Sequence, residues 1–307
     1  MIPQQFTPIP PQGIIAQPSV FYLGLKMKRT GIFFHYQRGE RLKDFPTALG
    51  DILNKEGVVF YDALYQKKLA HGVEPVGEEL LLKVHSKRMI DRIKRSRLYE
   101  GVLYSASGTV QAVEKILQGE INNAFVFTGF GDHHAGKDSF GGGCYFNGAA
   151  LAIENARAKF KARKFAIGDT DSHHGDGTWD IFTDDEEVLY VCFCSSNYPN
   201  RKNKINVRIP FYISDEEYLN KVEENLVPLI AKFKPELIFW NFGYDGTQGE
   251  YGDIGLTRDC HPKLANIFKA AAEKICKGGL VVVLCGGSSR EIATYTIPRI
   301  IQCLVGD

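Results

Sequence analysis

The stretch DTDSHHGDG, residues 169–177, sets three carboxylates and two histidines in nine positions, directly behind the apolar run 165–167. Upstream, GDHHAGKD at 131–138 carries a second pair, so two tandem pairs use four of the eight histidines. Asp171 and His173 are two apart, and in an extended segment such residues point to the same side. A carboxylate oxygen and an imidazole nitrogen then converge without strain. Asp245, in GYDGTQGEYGD at 243–253, completes an Asp-His-Asp set. Catalytic zinc takes about three protein ligands and leaves a position for water or substrate. His133 and His134 are too close in sequence to join that set comfortably. Beside a metal-bound water they serve better as proton carriers, because imidazole titrates near neutrality. Each then needs a carboxylate on its far nitrogen, and Asp169 and Asp176 are the unassigned acids.

The elements that must position these groups follow from the apolar pattern. Strands are expected at 30–35, 58–61, 124–128, 164–169, 188–194, 237–242 and 280–285. Helical stretches fall near 86–96, 107–118, 147–162, 215–233, 260–277 and 290–304. Runs such as LVVVL and LIFW are apolar at successive positions, as parallel strands covered on both faces require. Strand-helix alternation predicts an α/β fold, a mainly parallel sheet flanked by helices. Four polar loops, DHHAG, DTDSHHGDG, GYDGTQGEYGD and CGGSSRE, then follow strand ends, where open α/β sheets put their active sites.

Composition excludes several classes. The 307 residues carry a formal net charge of +1, so nothing steers the chain toward nucleic acid or an anionic membrane. No apolar run approaches the roughly 18 residues of a membrane span, and the N-terminus lacks the layout of a secretory signal. Seven cysteines without a CxxC pair fit a reducing, cytoplasmic compartment. The glycine runs lack a following Lys-Ser/Thr, which excludes a P-loop. Residues 1–27 hold five of the 13 prolines and read as an extended arm before a domain at 28–307. A basic face of Arg88, Arg92, Lys94, Arg95 and Arg97 reads as solvated. Cys192-Phe193-Cys194 reads as core, and His35 and His85 as structural.

Across 30–307 the chain resembles the histone deacetylase and acetylpolyamine amidohydrolase family of the arginase/deacetylase fold. The resemblance runs through GERLKDFPTAL, LLKVHSKRMIDRIK, DHHAGKDSFGGGCYFNGAALAI, DTDSHHGDGTWDIF, NVRIPFYISDEEYL, PELIFWNFGYDG and GDIGLT. It implies one zinc ion held at Asp171, His173 and Asp245. It also implies His133 and His134 with Asp169 and Asp176 as partners, and Tyr198 as an aromatic wall of a substrate tunnel. Many members hold a monovalent cation, K+ being the expected one, through backbone carbonyls around Asp169, Asp171 and His173. The dinuclear arginase branch would need further acids at positions 175 and 247. These are Gly175 and Thr247, so a single metal is expected.

Two departures matter. The family's Gly-rich loop ends in a tyrosine that donates to the oxyanion, whereas LCGGSSRE has none. Ser288 is the expected equivalent, with Ser289 next; serine is too short unless water fills the gap. Losing one such donor typically costs about a hundred- to a thousandfold in rate. Arg290 is an alternative cation, and Gly286 and Gly287 would line the substrate side of the loop. Gly143 stands where the family carries a phenylalanine of the tunnel wall. Either the tunnel opens there to a bulkier acyl group, or Tyr251 or Phe140 closes the space.

These features predict a zinc-dependent hydrolase of N-acyl amides such as acyl-lysine or a small acylated amine, with an oligomer compatible. Two alternatives stay open. One is a ligand-binding pseudoenzyme, supported by the missing tyrosine and opposed by the complete proton relay. The other is a hydrolase of a different amide or ester.

Overall fold

The computed structural model describes residues 28–34, 49–62 and 72–306. The Pro-rich arm at 1–27, His35 and nearly all of the GERLKDFPTAL block lie outside the described residues.

Among the described residues eight strands form one sheet: β1 (Thr30–Phe34), β2 (Val58–Asp62), β3 (Asn123–Val126), β4 (Phe165–Asp169), β5 (Val188–Cys194), β6 (Lys204–Arg208), β7 (Leu237–Gly243) and β8 (Leu280–Gly286). They lie in the order β2-β1-β3-β8-β7-β4-β5-β6, and every pairing is parallel. Among the described residues the helices are α1 (Glu78–Val84), α2 (Lys87–Lys94), α3 (Tyr99–Leu117), α4 (Gly148–Phe160), α5 (Asp176–Phe182), α6 (Asp215–Phe233), α7 (Cys260–Cys276) and α8 (Arg290–Val305).

The apolar runs work as the pattern requires, because alternate residues of each strand enter opposite layers. In β7, Leu237 and Phe239 pack on the face covered by α1 to α4, while Ile238, Trp240 and Phe242 pack on the face of α6, α7 and α8. Both layers are buried, which explains why these strands do not alternate polar with apolar. Cys192, Phe193 and Cys194 are core residues of β5.

The differences from the sequence-based expectation have simple causes. β6 is an edge strand with a partly exposed, polar pattern, so no apolar run marks it. α3 begins at Tyr99 rather than near 107, because its first half is built from buried small residues that lower helix propensity, Gly101, Ser105, Ser107 and Gly108 among them. There the helix lies close over the sheet: a Cβ at Gly108 would meet Val126 at 3.5 Å and Phe33 at 3.8 Å. Part of the basic face is paired: Arg88 with Asp138, Lys94 with Glu78, and Arg92 over the Phe140 ring.

The lateral order matters most for the site. β3, β8, β7 and β4 are neighbours, and the four polar loops leave these four strands at their carboxyl ends.

Candidate metal and acid-base site

Asp169 is the last residue of β4, and the chain then turns through Asp171 and His173 into α5, whose first residue is Asp176. Asp245 lies two residues beyond β7. The ligand atoms of Asp171, His173 and Asp245 lie within 4.8 Å of one another. His173 Nδ1 is 3.1 Å from Asp171 Oδ1 and 2.8 Å from Asp245 Oδ2. Both carboxylates are buried, and His173 is half-exposed. The cradle has no room for side chains around it. A Cβ at Gly286 would collide with the Asp171 carboxylate, and one at Gly243 with both Asp171 and Asp245. Ser172 supports the set by donating its hydroxyl to Asp245 at 2.5 Å. Two buried carboxylates and one accessible imidazole, converging without a Lys or Arg between them, suit a divalent zinc-like cation.

The charges follow this crowding. Burial and the neighbouring Asp171 charge push the Asp245 carboxyl up. Burial opposes ionisation of Asp171, but His133 and His173 outweigh it and hold that carboxyl below its ordinary value. Hydrogen bonds to Asp171 and Asp245 push His173 up to about 10.

The two remaining histidines each meet a carboxylate. His133 Nδ1 faces Asp169 Oδ2 at 3.0 Å, and its Nε2 is 3.7 Å from Asp171 Oδ1. The same Asp169 oxygen accepts from Tyr190 Oη at 2.7 Å and Asn241 Nδ2 at 3.2 Å. An oxygen so surrounded by donors stays ionised; despite burial, Asp169 is held below its usual range by His133, Tyr190 and Asn241. Burial alone would depress His133, yet Asp169, Asp171 and Asp245 outweigh it and push the imidazole up to about 10. The Nδ1 proton therefore sits on the Asp169 side, and Nε2 turns toward the triad. His134 Nδ1 pairs with Asp176 at 2.6 Å, with the His134 side chain 22% exposed against 2% for His133. The His134 ring centroid is 4.2 Å from that of His133 and 6.2 Å from that of His173.

The His-His loop is itself docked. Asp132 accepts from the Ala149 amide in the first turn of α4, where the helix dipole favours an anion. Burial nevertheless pushes that carboxyl up to about 7. The Asn147 cap donates to the Ala135 carbonyl and to Thr178. His85 Nδ1 donates to the Gly136 carbonyl at 2.7 Å, and Nε2 accepts from Asn147 N at 3.1 Å. Burial lowers His85 to about 4, so it bridges as a neutral ring.

The chain belongs to the histone deacetylase family. The model of the histone deacetylase domain matches residues 40–304. A probable deacetylase of Archaeoglobus fulgidus is 31% identical over 224 residues, 68% of this chain and 62% of that protein. A histone deacetylase-like amidohydrolase of Pseudomonas aeruginosa is 27% identical over 263 residues, 76% and 69% of the two chains. Mouse polyamine deacetylase HDAC10 is 28% identical over 223 residues, 66% of this chain and 33% of that one. The chain thus spans a third to two thirds of the length of several such relatives. The solved HDA15 HD domain superposes with a TM-score of 0.78 at 21% identity, covering 91% of this chain and 90% of that one, a likeness of fold.

Within this deacetylase fold the other expected residues are less uniform. Tyr198 stacks on His174 with ring centroids 3.6 Å apart. His174 also joins Cys192 and Cys194 in a second, buried group of metal-type side chains. Gly143 has a left-handed φ of 79°. Of the two aromatics considered for its side, Phe140 stacks on Tyr145, while Tyr251 stacks on His173 with centroids 5.5 Å apart. Arg290 opens α8 and is exposed. Ser288 is engaged: its hydroxyl donates to Glu250 at 2.7 Å and its amide to both Glu250 oxygens, as does the Ser289 amide to one of them.

Sequence reasoning passed over Tyr190, Asn241, Ser172 and Glu250. A lone hydroxyl or amide inside an apolar strand was the available signal for the first two. Glu250 stands in the polar loop after β7, but its partner lies 38 residues away.

Proposed function

We propose that this protein is a zinc-dependent amidohydrolase that removes the acyl group from an N-acyl amide, such as an acyl-lysine or a small acylated amine. The observation that carries the proposal is the Asp171–His173–Asp245 set with two His–Asp dyads beside it. Asp171, His173 and Asp245 would hold the ion, which when bound polarises a carbonyl and acidifies water. His134 is the mobile proton carrier: it takes a proton as water adds to the amide carbon and returns one to the departing amine. Amide and water thus become a carboxylic acid and an amine, which at neutral pH leave as carboxylate and ammonium, with no proton left over. Its partial exposure supports this role, since it can exchange protons with solvent. His133, buried with its Nδ1 on Asp169, orients the pair. Asp169 and Asp176 fix the tautomers by accepting from Nδ1. Residues 28–307 are the catalytic domain in this reading, and a K+-type ion around the Asp169, Asp171 and His173 carbonyls belongs to it. A cytoplasmic setting is also part of the proposal. None of the seven cysteines is in a disulfide, and no helix among the described residues is long and apolar enough to cross a membrane.

The test is turnover of acetyl-lysine and trifluoroacetyl-lysine peptide amides by zinc-loaded protein, with Asp171→Ala as the blank. Appearance of the free lysine side-chain amine with wild type alone supports the proposal. Zinc binding at one ion per chain with neither amide cleaved would sink it and favour a ligand-binding role.

A further inference from the structure

Water attack on an amide carbon puts negative charge on the carbonyl oxygen, and a fixed donor aimed at that oxygen lowers the barrier. The Gly-rich loop after β8 ends without a tyrosine, and its Ser288 hydroxyl is committed to Glu250. A phenol from another strand stands at the same place. Tyr251, in the loop after β7, lays its ring along His173 at 5.5 Å with an interplanar angle of 27°. Its oxygen accepts the Gly287 amide at 3.0 Å. A Cβ at Gly286 would stand 3.2 Å from that phenol oxygen while colliding with Asp171 Oδ2. The Tyr251 hydroxyl and a metal-ligand carboxylate therefore face one spot.

We infer that Tyr251 is a catalytic residue, the phenol that hydrogen-bonds the substrate carbonyl oxygen, supplied from the β7 loop instead of the β8 loop. This rests on the amidohydrolase reading above. Three observations carry the inference. Because the phenol oxygen accepts from Gly287, its own proton points away from that bond. Gly287 adopts φ 114°, a conformation that glycine takes readily and that lets the amide meet the phenol. Glu250, next to Tyr251 and 7% exposed, accepts from the Ser288 and Ser289 amides. One carboxylate thus ties the loop bearing Tyr251 to the loop it leans on. The ring is 62% exposed, so it lines an accessible rim, where a substrate can reach it, and does not serve as core.

The experiment compares wild type with Tyr251→Phe, which keeps the ring on His173 and removes only the hydroxyl. Zinc content and thermal midpoint are expected to match wild type. With acetyl-lysine amide, kcat should fall about a hundred- to a thousandfold, as for other single oxyanion donors, with KM nearly unchanged. With trifluoroacetyl-lysine amide, whose carbonyl is already activated, the loss should be markedly smaller. A peptidyl trifluoromethyl ketone, which binds as a tetrahedral hydrate, gives a readout independent of turnover; its affinity for the zinc-loaded variant should drop at least about tenfold, the same hydrogen bond being lost. If Tyr251→Phe cleaves acetyl-lysine amide within a few-fold of wild type and binds the ketone equally well, Tyr251 is not the donor while the amidohydrolase reading stands. If wild type cleaves neither amide yet binds the ketone through Tyr251, the donor assignment stands and the substrate reading falls. If it neither cleaves nor binds, both fall.

Discussion

Tyr190→Phe isolates the buried hydrogen bond that holds the inner dyad. The Tyr190 hydroxyl is 2.7 Å from Asp169 Oδ2 and 3.3 Å from the Gly175 carbonyl, and the side chain is wholly buried. Phenylalanine keeps the packing in the α1–α4 layer and leaves no new unsatisfied donor. The loss is then that of one hydrogen bond to an ionised carboxylate, about 1.5–3 kcal/mol. It should fall toward the lower end, because His133 and Asn241 still donate to the same oxygen. Its pH dependence has a definite sign. Asp169 is held below its usual range in the folded protein, so it stabilises the fold above the unfolded carboxylate value and loses that contribution as pH falls through the folded one. The gap between wild type and variant should be widest at neutral pH and close below about pH 4. Urea unfolding at several pH values, on zinc-loaded protein, measures it. A variant within about 0.3 kcal/mol of wild type at pH 7, well below the range expected for such a bond, would refute the assignment of this phenol to the dyad. So would a gap that widens in acid.

Three further outcomes follow from the same geometry. Zinc binding at pH 7 should release about one proton, because His173, held up to about 10, must lose one to ligate; titration calorimetry in two buffers of different ionisation enthalpy reads the number, and zero release would contradict the ligand set. In chelator-stripped protein, His133 and His173 stabilise the fold fully below about pH 6.5 and lose that contribution as pH rises toward 10. The denaturation midpoint should therefore decline across that window, and a flat profile would count against it. Glu250→Gln should lower kcat by weakening the charge-assisted grip on the Ser288 and Ser289 amides while zinc content stays at the wild-type level; loss of zinc instead would mean that Glu250 supports the metal cradle directly.

Much of the site was legible because its chemistry is local. The two-residue spacing of Asp171 and His173 fixes their common side wherever the backbone is extended, and the paired histidines follow one strand as Asp171 and His173 follow another. The continuous apolar runs announced a sheet covered on both faces, and the four polar clusters behind them announced its active edge. Other features had no local mark. Only the lateral order β3-β8-β7-β4 brings Asp245 to Asp171 and the Gly-rich loop to both. Tyr190 and Asn241 look like any polar atoms in apolar strands until parallel register sets them against Asp169. The same reason hides from the sequence that the Ser288 hydroxyl turns to Glu250 and that the Tyr251 hydroxyl meets the Gly287 amide. Position in a loop states that a hydroxyl is near an edge, while its direction depends on the loop packed beside it. Residue type and short spacing thus determined the proposed ligands and proton carriers. Tertiary contact decided what surrounds them, because hydrogen bonds between distant strands are set by sheet order, which no short stretch of sequence contains.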